Sequence, residues 1–140
     1  MAKLTANRKN YKKAFHKHAH AYENWNDPSK ESQRLLLCYC VECGLKYLIM
    51  EDNRVYEIKQ ANEELKKVLT SHNFKELLKA VRRAGIYHFN NFMTEYGETV
   101  IPSEYHQVCR YCILPKVKND LEEFNKTLEE IKDWIGEVIW

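Results

Sequence analysis

The sequence predicts an all-α fold, an up-and-down bundle of five or six helices with no strands. Three observations carry this expectation. Apolar residues recur at helical spacings of three and four along most of the chain. Its 140 residues include four Gly and three Pro, too few for the turns of a β-sandwich or barrel. No internal repeat or low-complexity tract interrupts the pattern. The length suits a single domain over 1–140 with a real hydrophobic core. That core is expected at about 30–114, followed by a long C-terminal amphipathic helix over 116–139.

The first helix is expected from about Thr5 to Trp25. Tyr11, Phe15, His18, Tyr22 and Trp25 follow at spacings of four, three, four and three, and so share one face. The run NWNDPS, with Pro28, then breaks it. The second helix, about Ser29 to Met50, contains RLLLCYCVECGLKYLIM and is apolar nearly all round. Such a helix is surrounded by others. Gly44 in its middle costs about 1 kcal/mol against Ala and points to a close approach by another backbone. EDN at 51–53 is expected to end it.

A third helix, about Arg54 to Leu69, places Val55, Ile58, Ala61, Leu65 and Val68 or Leu69 at helical spacing, and TSHN breaks it. Asn73 with Glu76 resembles a capping box. The helix it opens carries Phe74, Leu77, Leu78 and Val81 and is expected to stop at Gly85. Residues 86–103 read as helical or irregular, with YGETVIPS as a loop. Ser103 is placed to cap a short helix from Glu104 to Leu114, stopped at Pro115. The last segment is the most regular. Val117, Leu121, Phe124, Leu128, Ile131, Ile135 and Val138 alternate spacings of four and three, as for a bundle or a dimer seam.

Net charge is +2 but unevenly placed. Residues 1–20 hold Lys3, Arg8, Lys9, Lys12, Lys13 and Lys17 with no acid, whereas 116–140 hold four Lys against seven acids. A basic first helix can meet phosphates, stay solvated, or pair with the acidic last helix. No run of 18 apolar residues exists, because Glu42 and Lys46 interrupt the best candidate, so no membrane span is expected. Five cysteines is an odd number and no apolar leader opens the chain, which fits free thiols in a reducing cytoplasm.

Cys40-x-x-Cys43 and Cys109-x-x-Cys112 formally match a Cys₄ zinc set. Both pairs lie in apolar helical runs, whereas zinc knuckles sit in polar turns. They therefore read as buried thiols that pack like small hydrophobes, and no metal is expected. In the HxHxH run, only His16 and His20 share a helical face, and no third ligand follows. Glu42 lies in the apolar helix with Lys46 one turn on. A buried carboxylate needs partners, and Lys46, Arg110 or the groups around Ser71-His72-Asn73 are the candidates. Arg83-x₄-His88, equally Arg82-x₅-His88, has a spacing used by metal-independent ribonucleases, where the arginine holds phosphate and the histidine moves a proton.

The stretch LLLCYCVECGLKYLI at 35–49 is similar to the YAxEcxLKxLI pattern of the HEPN family's apolar second helix. SHNFKELL at 71–78 resembles that family's GHDLxxLL, and Arg110-Tyr111 resembles the RY that often closes its core. The resemblance, to these small helical nucleotide-binding domains, spans about 35–111. It implies a helical bundle, often a homodimer or the partner of a small nucleotidyltransferase, acting in toxin–antitoxin, antiviral or stress systems. The family's ribonuclease branch carries R-x₄₋₆-H at its last core helix. Here Arg110 holds that place, no histidine follows it within seven residues, and His106 precedes it. Arg83 and His88 have the spacing one helix too early.

The first expectation is accordingly a HEPN-like, non-catalytic binding module for a nucleotide, an RNA or a protein partner, needing no cofactor. Arg110, Tyr111 and Lys46 would bind phosphate, and Glu42 and His72 would form a polar core network. The second is a metal-independent ribonuclease using Arg83 or Arg110 with His88 or His106. The third is a structural partner whose heptad helix docks another chain.

Overall fold

The computed structural model describes residues 4–139 and is an all-α helical bundle. Six α-helices run in order: α1 Arg8–Glu23, α2 Lys30–Asp52, α3 Glu63–Leu69, α4 Phe74–Ala80, α5 Tyr105–Arg110 and α6 Lys118–Val138. Lys3 of the basic run lies outside the described residues. Among them, no helix is long and apolar enough to cross a membrane.

α2 is the axis of the molecule, packed against α1, α4, α5 and α6. Its buried residues, Leu37, Cys38, Cys40, Val41, Leu45, Ile49 and Met50 among them, face every side. The all-round apolar sequence therefore does what it predicts. α1 returns antiparallel to α2, with Tyr22 near Gln33, Phe15 near Cys40 and Arg8 near Glu51. Phe15 and Tyr22 on its predicted face are buried. α6 lies beside both, with Asn125 bonded to Tyr22 and Ile135 against α2.

Gly44 is where these three helices meet. A Cβ there would lie 2.7 Å from Phe15 Cδ1 and 2.9 Å from Ile135 Cδ1. The approach is by side chains rather than by the backbone the sequence pointed to. The heptad face of α6 is likewise spent inside the chain, because Leu121, Phe124, Leu128, Ile131 and Ile135 are all buried. That overturns the docking-helix expectation, since only Val117 and Val138 at its ends stay exposed. α1 and α6 are joined with the opposite polarity to the one anticipated. An α6 lysine, Lys132, reaches an α1 acid, Glu23, at 2.8 Å.

Several boundaries differ from expectation. The third helix starts at Glu63, capped by Asn62, with only a 3₁₀ turn at Ile58–Gln60 before it. Asn73 does cap α4, but through the Lys75 amide and without the Glu76 half of a box. Ser103 makes no cap; Glu104 bonds the Ile101 amide instead, and α5 ends at Arg110 rather than Leu114. Strands also occur. Phe92–Met93 (β1) pairs antiparallel with Thr99–Val100 (β2), and Thr94 bridges to Pro115.

Three helices end on left-handed residues that are not glycine: Arg54, Arg82 and Cys112, with φ of 54°, 61° and 53°. Each closes a Schellman turn. After α4, the Arg83 amide reaches the Leu78 carbonyl at 2.8 Å and the Arg82 amide reaches Lys79 at 3.1 Å. The stop is therefore Arg82, not Gly85. A side chain at left-handed φ costs about 1 kcal/mol or more, part of which a glycine returns as chain entropy on unfolding. Arg82→Gly is expected to stabilise the protein by about 0.5–1 kcal/mol, read as a higher denaturant midpoint. An unchanged or lower midpoint would contradict the strain.

Candidate functional site

The polar residues singled out on α2 and α5 meet across the bundle in one cavity of about 150 Å³, lined by Cys38, Tyr39, Glu42, His72, Phe74, His106 and Arg110. Helical spacing explains the α2 side. Tyr39 and Glu42 are three apart, and Cys38 and Glu42 are four apart, so all three reach one face. On α5, His106 and Arg110 are four apart and share a face in the same way. Tyr105, Val108 and Cys109 are buried and hold α5 to the core, which leaves His106 and Arg110 on its outer side.

His72 comes from the turn between α3 and α4. Ser71 Oγ accepts the Asn73 amide at 3.0 Å, and Asn73 Oδ1 accepts the Lys75 amide at 3.0 Å. These two bonds fix the tripeptide on which His72 rides. Its Nδ1 lies 2.8 Å from Glu42 Oε1. The other carboxylate oxygen is 3.5 Å from Lys46 Nζ, whose side chain is 5% exposed. Glu42 thus bridges a buried lysine below and a solvent-facing imidazole above. Glu42 and His72, expected as a polar core network, are bonded to each other, but at the surface end, where His72 is 63% exposed.

The two histidine rings lie 5.7 Å apart between centroids. Burial, the neighbouring His72 and the Arg110 charge together lower the pKa of His106, against a smaller opposite effect of Glu42. The Arg110 guanidinium donates to the Tyr39 hydroxyl at 2.7 Å, a contact spanning 71 residues of sequence. A guanidinium held at one end keeps its remaining donors for an anion. Tyr111, the expected companion of Arg110, is exposed at the C-cap of α5.

Arg83 and His88 are not in this cavity. The Arg83 guanidinium lies over the Trp134 ring, 4.7 Å from its centroid. The His88 carbonyl accepts from Thr127 on α6, and its side chain is exposed. The ribonuclease-like spacing therefore does not produce a converging pair within the chain. Tyr39 is the member that sequence reasoning missed. Its place three residues before Glu42 is a signal that could have found it.

The paired cysteines do not converge. Cys40 Sγ donates to the Phe15 carbonyl at 3.6 Å, on the α1 side of α2. Cys109 is buried in α5, whereas Cys112 lies beyond its C-cap and is exposed. Burial pushes the Cys40 thiol up to about 12 and Cys43 up to about 11, which favours the protonated form over the thiolate a metal takes. His16 and His20 flank a groove with Glu23 and Asp133, whose carboxylates are occupied by Lys132. Among the described residues, no group of three or more His, Cys, Asp or Glu is arranged to hold a metal ion.

Comparison with protein-family models, with curated proteins and with solved structures produced no match.

Proposed function

We propose that this chain is a HEPN-like helical module that binds a phosphate-bearing ligand, an RNA or a nucleotide, at the cavity between α2 and α5. The observation that carries the reading is Arg110. Its guanidinium is solvent-facing, oriented by Tyr39 at 2.7 Å, and set at the rim of a concave site containing two imidazoles. Orientation matters because a preordered guanidinium loses less entropy when it grips an anion. At about 150 Å³ the cavity is smaller than a site that engulfs a whole ligand. It suits a phosphate or a sugar-phosphate edge, with the rest of the ligand along the surface. Lys46, expected to follow Arg110 in phosphate binding, is instead committed to Glu42. The exposed Lys9, Lys13 and Lys17 of α1 remain for long-range attraction. A homodimer, or pairing with a small nucleotidyltransferase, belongs to the same reading.

Arg110→Ala is expected to weaken binding of a short labelled single-stranded RNA about tenfold at low salt. The slope of log affinity against log salt should fall by about 0.7. Fluorescence anisotropy over a salt series reads both. Unchanged affinity and slope would move the phosphate site elsewhere.

A ribonuclease reading is favoured by one observation. His106 and Arg110 share a helix face and a cavity, which Arg83 and His88 do not.

A further inference from the structure

Spacing along the chain pairs Cys40 with Cys43 and Cys109 with Cys112, but the thiols that meet in the fold are Cys38 and Cys109. They stand one residue before Tyr39 and Arg110, whose 2.7 Å bond ties α2 to α5 at this level. Both thiols are free, 2% and 4% exposed, and hydrogen-bonded to each other. The Tyr105 hydroxyl completes the cluster. It is buried, makes no well-formed hydrogen bond, and lies near both thiols and Arg34. A buried hydroxyl without a partner is costly, and a redox or catalytic role is one reason a core keeps it. The two thiols are not equivalent. Burial raises the pKa of Cys38 well above that of a free thiol. The bond from Cys38 lowers the pKa of Cys109 against its own burial, and Tyr105 and Arg34 add to that effect. The proton between them therefore rests on Cys38, and Cys109 carries the thiolate character that makes a sulfur nucleophilic. Cys38 also lines the α2–α5 cavity, whose volume of about 150 Å³ admits molecules the size of water.

We propose that Cys109 and Cys38 form a peroxide-reactive dithiol, which hydrogen peroxide converts to a disulfide that staples α5 to α2. The assignment does not depend on any ligand held by Arg110. The Cys109 sulfur attacks one oxygen of the peroxide. A sulfur–oxygen bond forms as the oxygen–oxygen bond breaks, and the departing oxygen leaves as water with the proton that Cys109 gives up. Cys109 is then a sulfenic acid, oxidised by two electrons. The Cys38 sulfur next attacks the Cys109 sulfur. The disulfide bond forms, the sulfur–oxygen bond breaks, and the hydroxide leaves as a second water with the Cys38 proton. In sum, two thiols give up two electrons and one peroxide becomes two waters. Tyr105 is the donor that steadies the charged Cys109 sulfur before it reacts. The two sulfurs are already hydrogen-bonded, so neither helix has to travel for the second step. The product closes a loop of roughly 70 residues and joins the two walls of the cavity covalently.

The test treats the reduced full chain with a small molar excess of hydrogen peroxide in native buffer. Remaining thiols are then alkylated and every cysteine is mapped by mass spectrometry. The expected main product is a disulfide between Cys38 and Cys109, reversed by dithiothreitol. It should form at least about tenfold faster than in the urea-unfolded chain, where the cluster is lost. Cys38→Ser should stop the reaction at its first step, with Cys109 captured as the sulfenic acid by dimedone. Cys109→Ser should leave Cys38 reduced at the same dose. Tyr105→Phe keeps the ring and should slow disulfide formation about fivefold, the worth of one hydrogen bond. A serine in the core can unfold the chain, so the peptide map of the parent decides. Oxidation confined to Cys112, the exposed thiol, with Cys38 and Cys109 both alkylated, would overturn the dithiol. A disulfide between Cys40 and Cys43 as the main product would do the same, as would a rate no faster than in urea. Dimedone on Cys38 instead of Cys109 would reverse the order of attack and so contradict the assignment.

Discussion

Phe124→Ala is expected to destabilise the protein by about 3–5 kcal/mol. Phe124 is 4% exposed and sits at the centre of the aromatic cluster that joins α6 to the rest of the fold. Its ring stacks on Tyr105 at 3.9 Å and lies 4.4 Å from Phe89 and 6.2 Å from Phe92. Removing it leaves three aromatic rings facing a void, and close-packed neighbours relax only partly into such a space. Urea unfolding should show the loss as a lower midpoint at unchanged slope, with Tm lower by roughly 10–20 °C. Phe124→Leu keeps much of the volume and should lose under about half as much. A cost below about 1 kcal/mol for the alanine variant would mean that the cluster is not packed as described. The consequence reaches the site. Tyr105 is the first residue of α5, and the stacked pair is what seats His106 and Arg110 over α2.

The second large effect is expected at Gly44. Even a methyl group would lie within 3 Å of both Phe15 and Ile135. The Phe15 ring is rigid and 2% exposed, and Ile135 is fully buried, so neither neighbour has solvent to move into. Gly44→Val adds two further carbons at the three-helix contact and should cost about 2–3 kcal/mol through overpacking. Gly44→Ala is a closer contest, because alanine recovers about 1 kcal/mol of helix propensity. It should still destabilise, by less than valine does. A stabilised alanine variant in thermal melts would show that α1 and α6 can stand off from α2 at little cost.

Gly44 also shows how far a sequence can be read. A glycine kept inside a long apolar helix announces a close neighbour, but not which atoms that neighbour presents. The three helix ends behave in the opposite way. Arg54, Arg82 and Cys112 carry left-handed backbone with none of the glycine or asparagine that marks such a turn, so nothing local revealed them. The region 86–103 was legible only as helical or irregular. Its two-residue strands are held by pairing with residues 114–116, a contact that propensity does not encode. At the site, Glu42, His72, His106 and Arg110 were each visible as residues. Their convergence was not, and Arg83 with His88 looked equally good on spacing.

What the sequence by itself determined is the helical class, the central place of α2 and the inward face of α6. These follow from periodicity, which records the burial of each residue relative to its near neighbours along one element. Which charged groups face one another was decided only by the tertiary structure. Tyr39 and Arg110 are 71 residues apart, and Glu42 and His72 are 30 apart. Contacts at that separation depend on how α2, the α3–α4 turn and α5 dock, and docking is set by the shapes of packed side chains that no spacing along the chain records.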